Sequence, residues 1–322
     1  MYKDSESPDE LYMNNIFYLR KTLELAANGK GRTSPNPLVG AVIVKNNIII
    51  GEGWHKKFGG LHAEVEAINN ALKKHNSKKL KGATLYVNLE PCSHFGANPP
   101  CADIIISYGI KEVVFCTNDP NSLVNGKGEK YLKKFNIKVR KNILVNEARK
   151  LNEIYFKYIL QKKPFIILKT ALSLDGRITH PTQKYLNNKQ ALQYVHELRN
   201  QVDAILIGYN TNRKDRPQLT CRIKGCRNPK KIILPKKKVN LKKLLEKLGQ
   251  EKISSILVEG GSQVITSFLQ ENLGDKVILL YTPEIYGSQQ LAYCQKINKI
   301  VKLKDIEIRK LGDNIILEGY VK

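Results

Sequence analysis

His62-Ala63-Glu64, Pro91-Cys92 and the later Cys101 are the residues whose types and spacing point to chemistry. One imidazole and two thiolates supply three ligands of a tetrahedral Zn²⁺ and leave the fourth position to water. A structural zinc would be closed by a fourth protein ligand, and none is obvious nearby. Glu64 need not bind the metal and is placed to move protons. In this arrangement the metal makes water nucleophilic near neutral pH. The carboxylate then carries a proton to a departing ammonia, the chemistry of hydrolytic deamination. The general signature is His-x-Glu with Pro-Cys-x-x-Cys; here the two cysteines lie nine residues apart. The bland alternative is that His62, Cys92 and Cys101 are ordinary buried residues. It must explain His-x-Glu at a helix start, Pro-Cys after a strand and a second Cys at another helix start, all together. Cys221 and Cys226 lack a second ligand pair, and Cys116 and Cys294 sit in apolar runs that read as core. A thiolate site beside unpaired cysteines fits a reducing compartment, the cytoplasm.

The elements that must position these residues follow from periodicity. Residues 1–11 read as a polar tail. Ile16, Leu19, Leu23 and Ala26 fall at helical spacing from Tyr12 to Asn28. The apolar runs 40–45 and 48–53 are joined by Asn46-Asn47, a hairpin signal. Helices are expected at 62–74, 99–108, 128–135 and 145–161, and strands at 83–89, 111–117 and 137–141. This is an alternating α/β layer domain over residues 12–161. Lys162-Lys163-Pro164 marks the boundary. A second α/β pattern occupies 162–322. Its strands are expected at 165–171, 203–208, 231–234, 255–258, 276–281, 306–308 and 314–320, and its helices at 188–200, 240–248 and 261–270.

Composition narrows the function classes. The chain has 322 residues and a formal net charge of +25. Its apolar content excludes a disordered chain. Six cysteines exclude a disulfide scaffold, and no apolar run is long enough to span a membrane. The first dozen residues resemble neither a secretory signal nor a transit peptide. The basic excess is 43 Lys against 11 Arg, whereas bidentate recognition of phosphates and bases favours Arg. A solvated Lys-rich surface accounts for the charge without a nucleic-acid partner. A small anionic substrate fits equally.

The chain resembles the bifunctional deaminase/reductase family of riboflavin biosynthesis. In the first half the likeness lies in Ser34-Pro35-Asn36-Pro37, Val39-Gly40, His62-Ala63-Glu64, Leu89-Glu90-Pro91-Cys92-Ser93-His94, Pro99-Pro100-Cys101 and Asp119-Pro120-Asn121. In the second half it lies in Lys169, Ser173-Leu174-Asp175-Gly176-Arg177, Leu198-Arg199, Pro217-Gln218-Leu219-Thr220, Arg222 and Glu259-Gly260-Gly261-Ser262. The resemblance implies a three-layer zinc cytidine-deaminase-like domain followed by a dihydrofolate-reductase-like α/β domain. It implies that His62, Cys92 and Cys101 bind Zn²⁺ and that Glu64 shuttles protons. Asn36, His94, Asp119 and Asn121 would contact a phosphorylated pyrimidine. In the second half, Gln183, Arg199, Leu219, Arg222 and Glu259 fall at substrate positions. Ala171, Tyr185, Thr211, Asp215, Gly261 and Ser262 fall at NADPH positions. The expected sequence of reactions is deamination, then NADPH-dependent reduction of a ribose to a ribityl chain. A homo-oligomer built through the second domain is a further expectation.

The chain departs from the family pattern at several points. His180–Asn187 replaces a Gly-Glu-Ser-x-Trp-Ile-Thr segment. Only Pro235–Val239 joins the strand at 231–234 to the next helix, where the family has tens of residues. Asp215-Arg216-Pro217 replaces Asp-Asp-Pro, and Ala97 replaces a basic residue. Three other readings therefore stay open: a deaminase with a structural second half, a deaminase of another base, and a zinc-containing RNA-binding protein.

Overall fold

A computed structural model describes residues 7–95, 99–179, 188–287 and 289–322. The chain divides into two units, Met1–Leu160 and Gln161–Lys322.

The first unit carries a five-stranded sheet of order β2-β1-β3-β4-β5: β1 Gly40–Lys45, β2 Ile48–Trp54, β3 Thr84–Leu89, β4 Glu112–Thr117 and β5 Lys138–Lys141. β1 pairs antiparallel with β2 and β3, while β3, β4 and β5 run parallel. Asn46 and Asn47 both take positive φ, as a tight two-residue hairpin requires. Successive strand residues point to opposite faces, and here both faces are apolar. Ala41, Ile43, Leu85, Val87, Val113 and Phe115 pack under α2 (Ala63–Lys74), α3 (Cys101–Ser107) and α4 (Lys127–Lys134). Val42, Val44, Tyr86, Val114 and Cys116 pack under α1 (Pro8–Ala27) and α5 (Val145–Leu151). The result is three layers, helix–sheet–helix.

Two readings of the first unit change. The expected polar tail is helical from Pro8. Ser7 caps Glu10 N–H at 3.1 Å, proline occupies the first turn, and Asp9 and Glu10 complement the positive end of the helix. The single helix expected at 145–161 is two, α5 and α6 (Glu153–Gln161), broken at Asn152. The Asn152 side chain leaves the helical run to bind both backbone groups of Leu38, at 2.7 and 2.9 Å.

The second unit is a seven-stranded sheet of order β11-β12-β10-β6-β9-β7-β8. The strands are β6 Phe165–Leu172, β7 Ala204–Ile207, β8 Lys230–Ile233, β9 Ser255–Val258, β10 Lys276–Tyr281, β11 Leu303–Leu311 and β12 Asn314–Val321. β10, β6, β9, β7 and β8 are parallel neighbours. The helices are α7 Lys189–Gln201, α8 Tyr209–Asp215, α9 Leu241–Gln250 and α10 Ser262–Gln270. Leu241, Leu245 and Leu248 of α9 join Ile265 and Phe268 of α10 over one face of the sheet. The short, two-turn helix α8 was not anticipated, because its polar sequence carries no apolar stripe. The shortened segment at 235–239 follows β8, which is an edge strand. The core under α9 and α10 is therefore closed without it.

Cys221 and Cys226 are disulfide-bonded, contrary to the unpaired reading. Gly225, at φ +73°, turns the chain back so that their Cα atoms lie 6.2 Å apart, within bridging range. Cys294 is only half-buried rather than core, while Cys116 is fully buried.

Candidate active site

The first cavity, about 280 Å³, opens where β1, β3, β4 and the start of α2 converge. α2 reaches it because it lies directly on β2. A Cβ on Gly53 would stand 2.4 Å from the Ala67 backbone nitrogen, so only glycine admits this approach. His62 is the N-cap residue of α2, and Glu64 lies in its first turn. Cys92 follows β3, and Cys101 begins α3. The Pro91-Cys92 turn is pinned from α4. Glu90 accepts from Gly126 N–H at 2.9 Å and Glu129 N–H at 3.1 Å, and a Cβ on Gly128 would meet the Pro91 carbonyl at 2.1 Å.

His62 Nδ1 lies 3.1 Å from Cys101 Sγ and 3.6 Å from Cys92 Sγ, and the three donor atoms all fall within 4.8 Å of one another. Ligands on a tetrahedral Zn²⁺ with ordinary bond lengths stand roughly 3.5 Å apart. The imidazole–dithiolate donor set and its spacing therefore fit zinc. The Cys92 thiol is drawn down to about 4, chiefly by the hydrogen bond from Cys101, while that same bond and burial push Cys101 up. Glu64 is 4% exposed, and burial raises its carboxyl above the ordinary range, with His62 opposing. It therefore favours holding a proton more than a solvated carboxylate does.

Asn36, His94, Asp119 and Asn121 line the same cavity. Asn36 is placed by the segment behind it, since Leu38 is gripped by Asn152 and by Asn88, which also accepts from Gly40 N–H at 2.8 Å. Asn36 Nδ2 stands 3.3 Å from His55 Nε2, and His55 Nδ1 stands 2.9 Å from the Leu61 carbonyl. The carbonyl fixes the proton on Nδ1, so Nε2 accepts and the Asn36 Oδ1 is left for a ligand. Burial lowers the pKa of His55, which keeps it neutral. Asp119 Oδ1 accepts Asn121 N–H at 2.8 Å, an Asx turn that sets both residues at the end of β4. Burial raises Asp119 to about 6, against the hydrogen bonds from Asn121 and Tyr155. His94 Nδ1 is buried without a partner among the described residues. Ala97 lies outside the described residues.

Sequence reasoning passed over His55 and Tyr155, which both line this cavity. Neither carries a motif. Tyr155 lies in a segment read only as a helix leaving the domain.

A second cavity, about 1250 Å³, lies wholly in the second unit at the carboxyl ends of β6, β9, β7 and β8. Ligands of open α/β sheets bind at that edge. At its centre Glu259, 9% exposed, accepts from Arg199 Nε at 2.8 Å and Nη2 at 3.0 Å, and from Lys169 at 3.3 Å. Burial would raise its pKa, but the two cations outweigh it and hold it at about 2. Leu219 and Arg222 line the cavity, and Arg222 donates to Gln218 at 2.9 Å. Ala171, Thr211, Asp215, Gly261 and Ser262 line it as well. Gly261 is the N-cap of α10 without a side-chain cap; Val264 N–H bonds the Gly261 carbonyl at 3.0 Å, and the Ser262 and Gln263 N–H groups are left for an anion. The room, the uncapped helix start and the basic lining fit a phosphorylated dinucleotide. Gln183 and Tyr185 lie outside the described residues.

Comparison with known proteins agrees with both halves. The cytidine and deoxycytidylate deaminase zinc-binding region matches residues 13–117. The RibD C-terminal domain matches 164–239 and 227–317, two stretches that meet around the shortened segment. The chain is 38% identical to the riboflavin biosynthesis protein RibD of Aquifex aeolicus, covering 93% of this chain and 96% of that one. It is 32% identical to RibD of Escherichia coli, covering 95% and 99%. A solved Thermotoga maritima structure, a diaminohydroxyphosphoribosylaminopyrimidine deaminase/5-amino-6-(5-phosphoribosylamino)uracil reductase, superposes with a TM-score of 0.88 at 36% identity, covering 97% and 100%. Acinetobacter baumannii RibD superposes with a TM-score of 0.88 at 32% identity, covering 97% and 99%. With a deaminase-type zinc-binding region followed by a RibD C-terminal domain, the chain belongs to the RibD family of bifunctional riboflavin-biosynthesis enzymes.

Proposed function

We propose that the first domain hydrolyses the C2 amino group of diaminohydroxyphosphoribosylaminopyrimidine, and that the second reduces the ribose of the product to a ribityl chain with NADPH. The observation that carries this reading is the convergence of His62, Cys92, Cys101 and buried Glu64 on one cavity with Asn36 and Asp119. Zn²⁺ held by His62, Cys92 and Cys101 would supply Lewis-acid activation of water. Glu64 takes up the proton that the attacking water loses and delivers it to the departing amine. Its buried position favours the protonated form that makes the second transfer. Asn36 Oδ1 and the Asp119 carboxylate accept N–H groups of the pyrimidine, and Asn121 fixes Asp119 through the backbone. In the second domain Lys169 and Arg199 stand over the cavity with Glu259, and Arg222 is placed for the sugar phosphate.

The proposed partners are small phosphorylated pyrimidines rather than nucleic acid. The basic excess is lysine rather than the arginine that bidentate recognition of phosphates and bases favours. Assembly through the second domain is proposed from β11, an edge strand with Ile306 and Ile308 exposed. A cytoplasmic setting is proposed from the need to keep Cys92 and Cys101 reduced. The test supplies zinc-loaded protein with the diaminopyrimidine substrate and NADPH and reads the products by mass. A deaminated and reduced product is expected. A deaminated, unreduced product would remove the reductase half of the proposal, and unchanged substrate would remove the deaminase half.

A further inference from the structure

Cys221 and Cys226 lie in the segment 216–229, which joins α8 to β8 and forms neither helix nor strand. This segment supplies Pro217, Gln218, Leu219 and Arg222 to the second cavity. Its two arms are tied to the body of the domain. Before the disulfide, the Thr220 carbonyl accepts from Arg199 Nη1 at 3.3 Å, and the Pro217 carbonyl accepts from Lys231 Nζ at 3.0 Å. After it, Arg227 N–H donates to Asn200 Oδ1 at 3.0 Å, and the Arg227 guanidinium meets Asp203 at 2.9 Å. The stretch between, 222–225, is drawn together at its ends by the Cys221–Cys226 bond. Arg222 is exposed and donates to Gln218 of its own segment, so its position follows the backbone that carries it.

The surroundings favour exchange of this bond. Cys221 and Cys226 are each followed by an arginine, and Lys224 stands between them. Nearby positive charge stabilises a thiolate, the form that attacks and leaves in thiol–disulfide exchange. Cys226 is half-buried and Cys221 is buried, so an incoming thiolate meets the Cys226 sulfur first. The same chain needs Cys92 and Cys101 as thiolates in the zinc cluster. Where those are kept reduced, a disulfide is a redox-responsive bond rather than a permanent staple.

We propose that Cys221 and Cys226 are a reversible thiol–disulfide site for low-molecular-weight thiols, whose closure fixes Arg222 at the second cavity and so sets the affinity for the sugar-phosphate substrate. In opening, a thiolate attacks Cys226 Sγ, the S–S bond breaks and Cys221 leaves as thiolate. A second thiolate attacks the outer sulfur of the mixed disulfide and releases Cys226. Two electrons pass to the pair, the protons of the two thiols pass to the cysteines, and the thiols leave as their own disulfide. That disulfide drives the reverse reaction. With the pair open, 222–225 gains backbone freedom that binding at Arg222 must remove again, which weakens affinity. The consequence for binding rests on the reading of Arg222 as a contact of the sugar phosphate.

The full-length zinc-loaded protein is equilibrated in glutathione buffers that run from oxidised to reduced. Thiols are trapped with N-ethylmaleimide, and peptide masses read the state of the pair. In the same buffers, NADPH oxidation gives kcat and KM for the deaminated phosphoribosylaminopyrimidine. The pair is expected to open within this range. KM should rise by about fivefold or more as it opens, the scale of freeing one backbone residue, with kcat little changed. Cys226→Ser should show the raised KM in every buffer, with thermal unfolding as the control for folding, and Cys294→Ser should respond as wild type does. A pair that stays closed or stays open throughout overturns the proposal. A pair that opens while KM stays fixed overturns it equally and leaves the reductase reading intact. The wild-type titration decides both points without any variant. No NADPH oxidation in any buffer overturns the reductase reading and the proposal with it.

Discussion

Tyr155 donates its hydroxyl to both carboxylate oxygens of Asp119, at 2.8 Å to Oδ1 and 3.1 Å to Oδ2. Both residues are buried, and they come from α6 and the end of β4. The carboxyl proposed to hold substrate is thus steadied by a helix on which no motif lies.

This pair gives the deaminase a pH dependence. Burial places Asp119 at about 6. A substrate N–H is best accepted by the carboxylate, so kcat/KM should rise with pH through about 6 and level above it. The Tyr155 hydroxyl favours the charged form. Tyr155→Phe should therefore move the acidic limb upward by about one unit, since a hydrogen bond to a charged group is worth about 1.5 kcal/mol or more. A pH–rate profile with an unmoved limb would refute the coupling.

Glu64 and the metal ligands should separate cleanly. Glu64→Gln should lower deamination by about a hundredfold or more, the usual scale of a lost proton carrier, while the protein keeps its zinc by elemental analysis. Cys101→Ser, or chelation, should abolish deamination together with the metal. NADPH binding should survive both, because no residue of the second cavity contributes to the zinc cluster.

Removing the carboxylate at Glu259 leaves Lys169 and Arg199, both largely buried side chains, without their shared counter-charge. Glu259→Gln should destabilise the second domain by about 3 kcal/mol or more, read as a lowered unfolding transition in calorimetry. The pH dependence follows from a folded pKa held at about 2, below the ordinary 4.5. The stabilisation is complete above the unfolded value and is lost as pH falls from about 4.5 towards 2. In the Gln variant that acid-sensitive component should be absent.

The disulfide is open to direct counting. Zinc-free protein denatured without reductant should titrate four thiols, the remaining Cys92, Cys101, Cys116 and Cys294. Six thiols would show that Cys221 and Cys226 stay reduced under those conditions.

Much of the molecule was legible from spacing alone. Apolar periodicity located most strands and helices, because the central strands of the first sheet must satisfy two apolar faces and each helix one. The zinc set was legible because ligand chemistry needs particular residue types. His62, Cys92 and Cys101 also sit at helix starts or just after a strand, which a local pattern reveals. The early start of α1 could have been read from Ser7-Pro8-Asp9-Glu10, a capping sequence taken instead for a tail.

What remained hidden depended on contacts between distant segments. Asn152 breaks its helix to bind Leu38, 114 residues away. His55 fixes the amide of Asn36, and Tyr155 steadies Asp119, each by one hydrogen bond that no spacing announces. The shortened segment after β8 stood out in the sequence only as a departure from the family's length. Only the strand order shows that it falls at the sheet's edge and leaves the core closed. Sequence periodicity reports which face of an element is apolar. Which elements become neighbours is decided by packing of the whole chain, and that packing brings polar side chains from remote segments into one cavity.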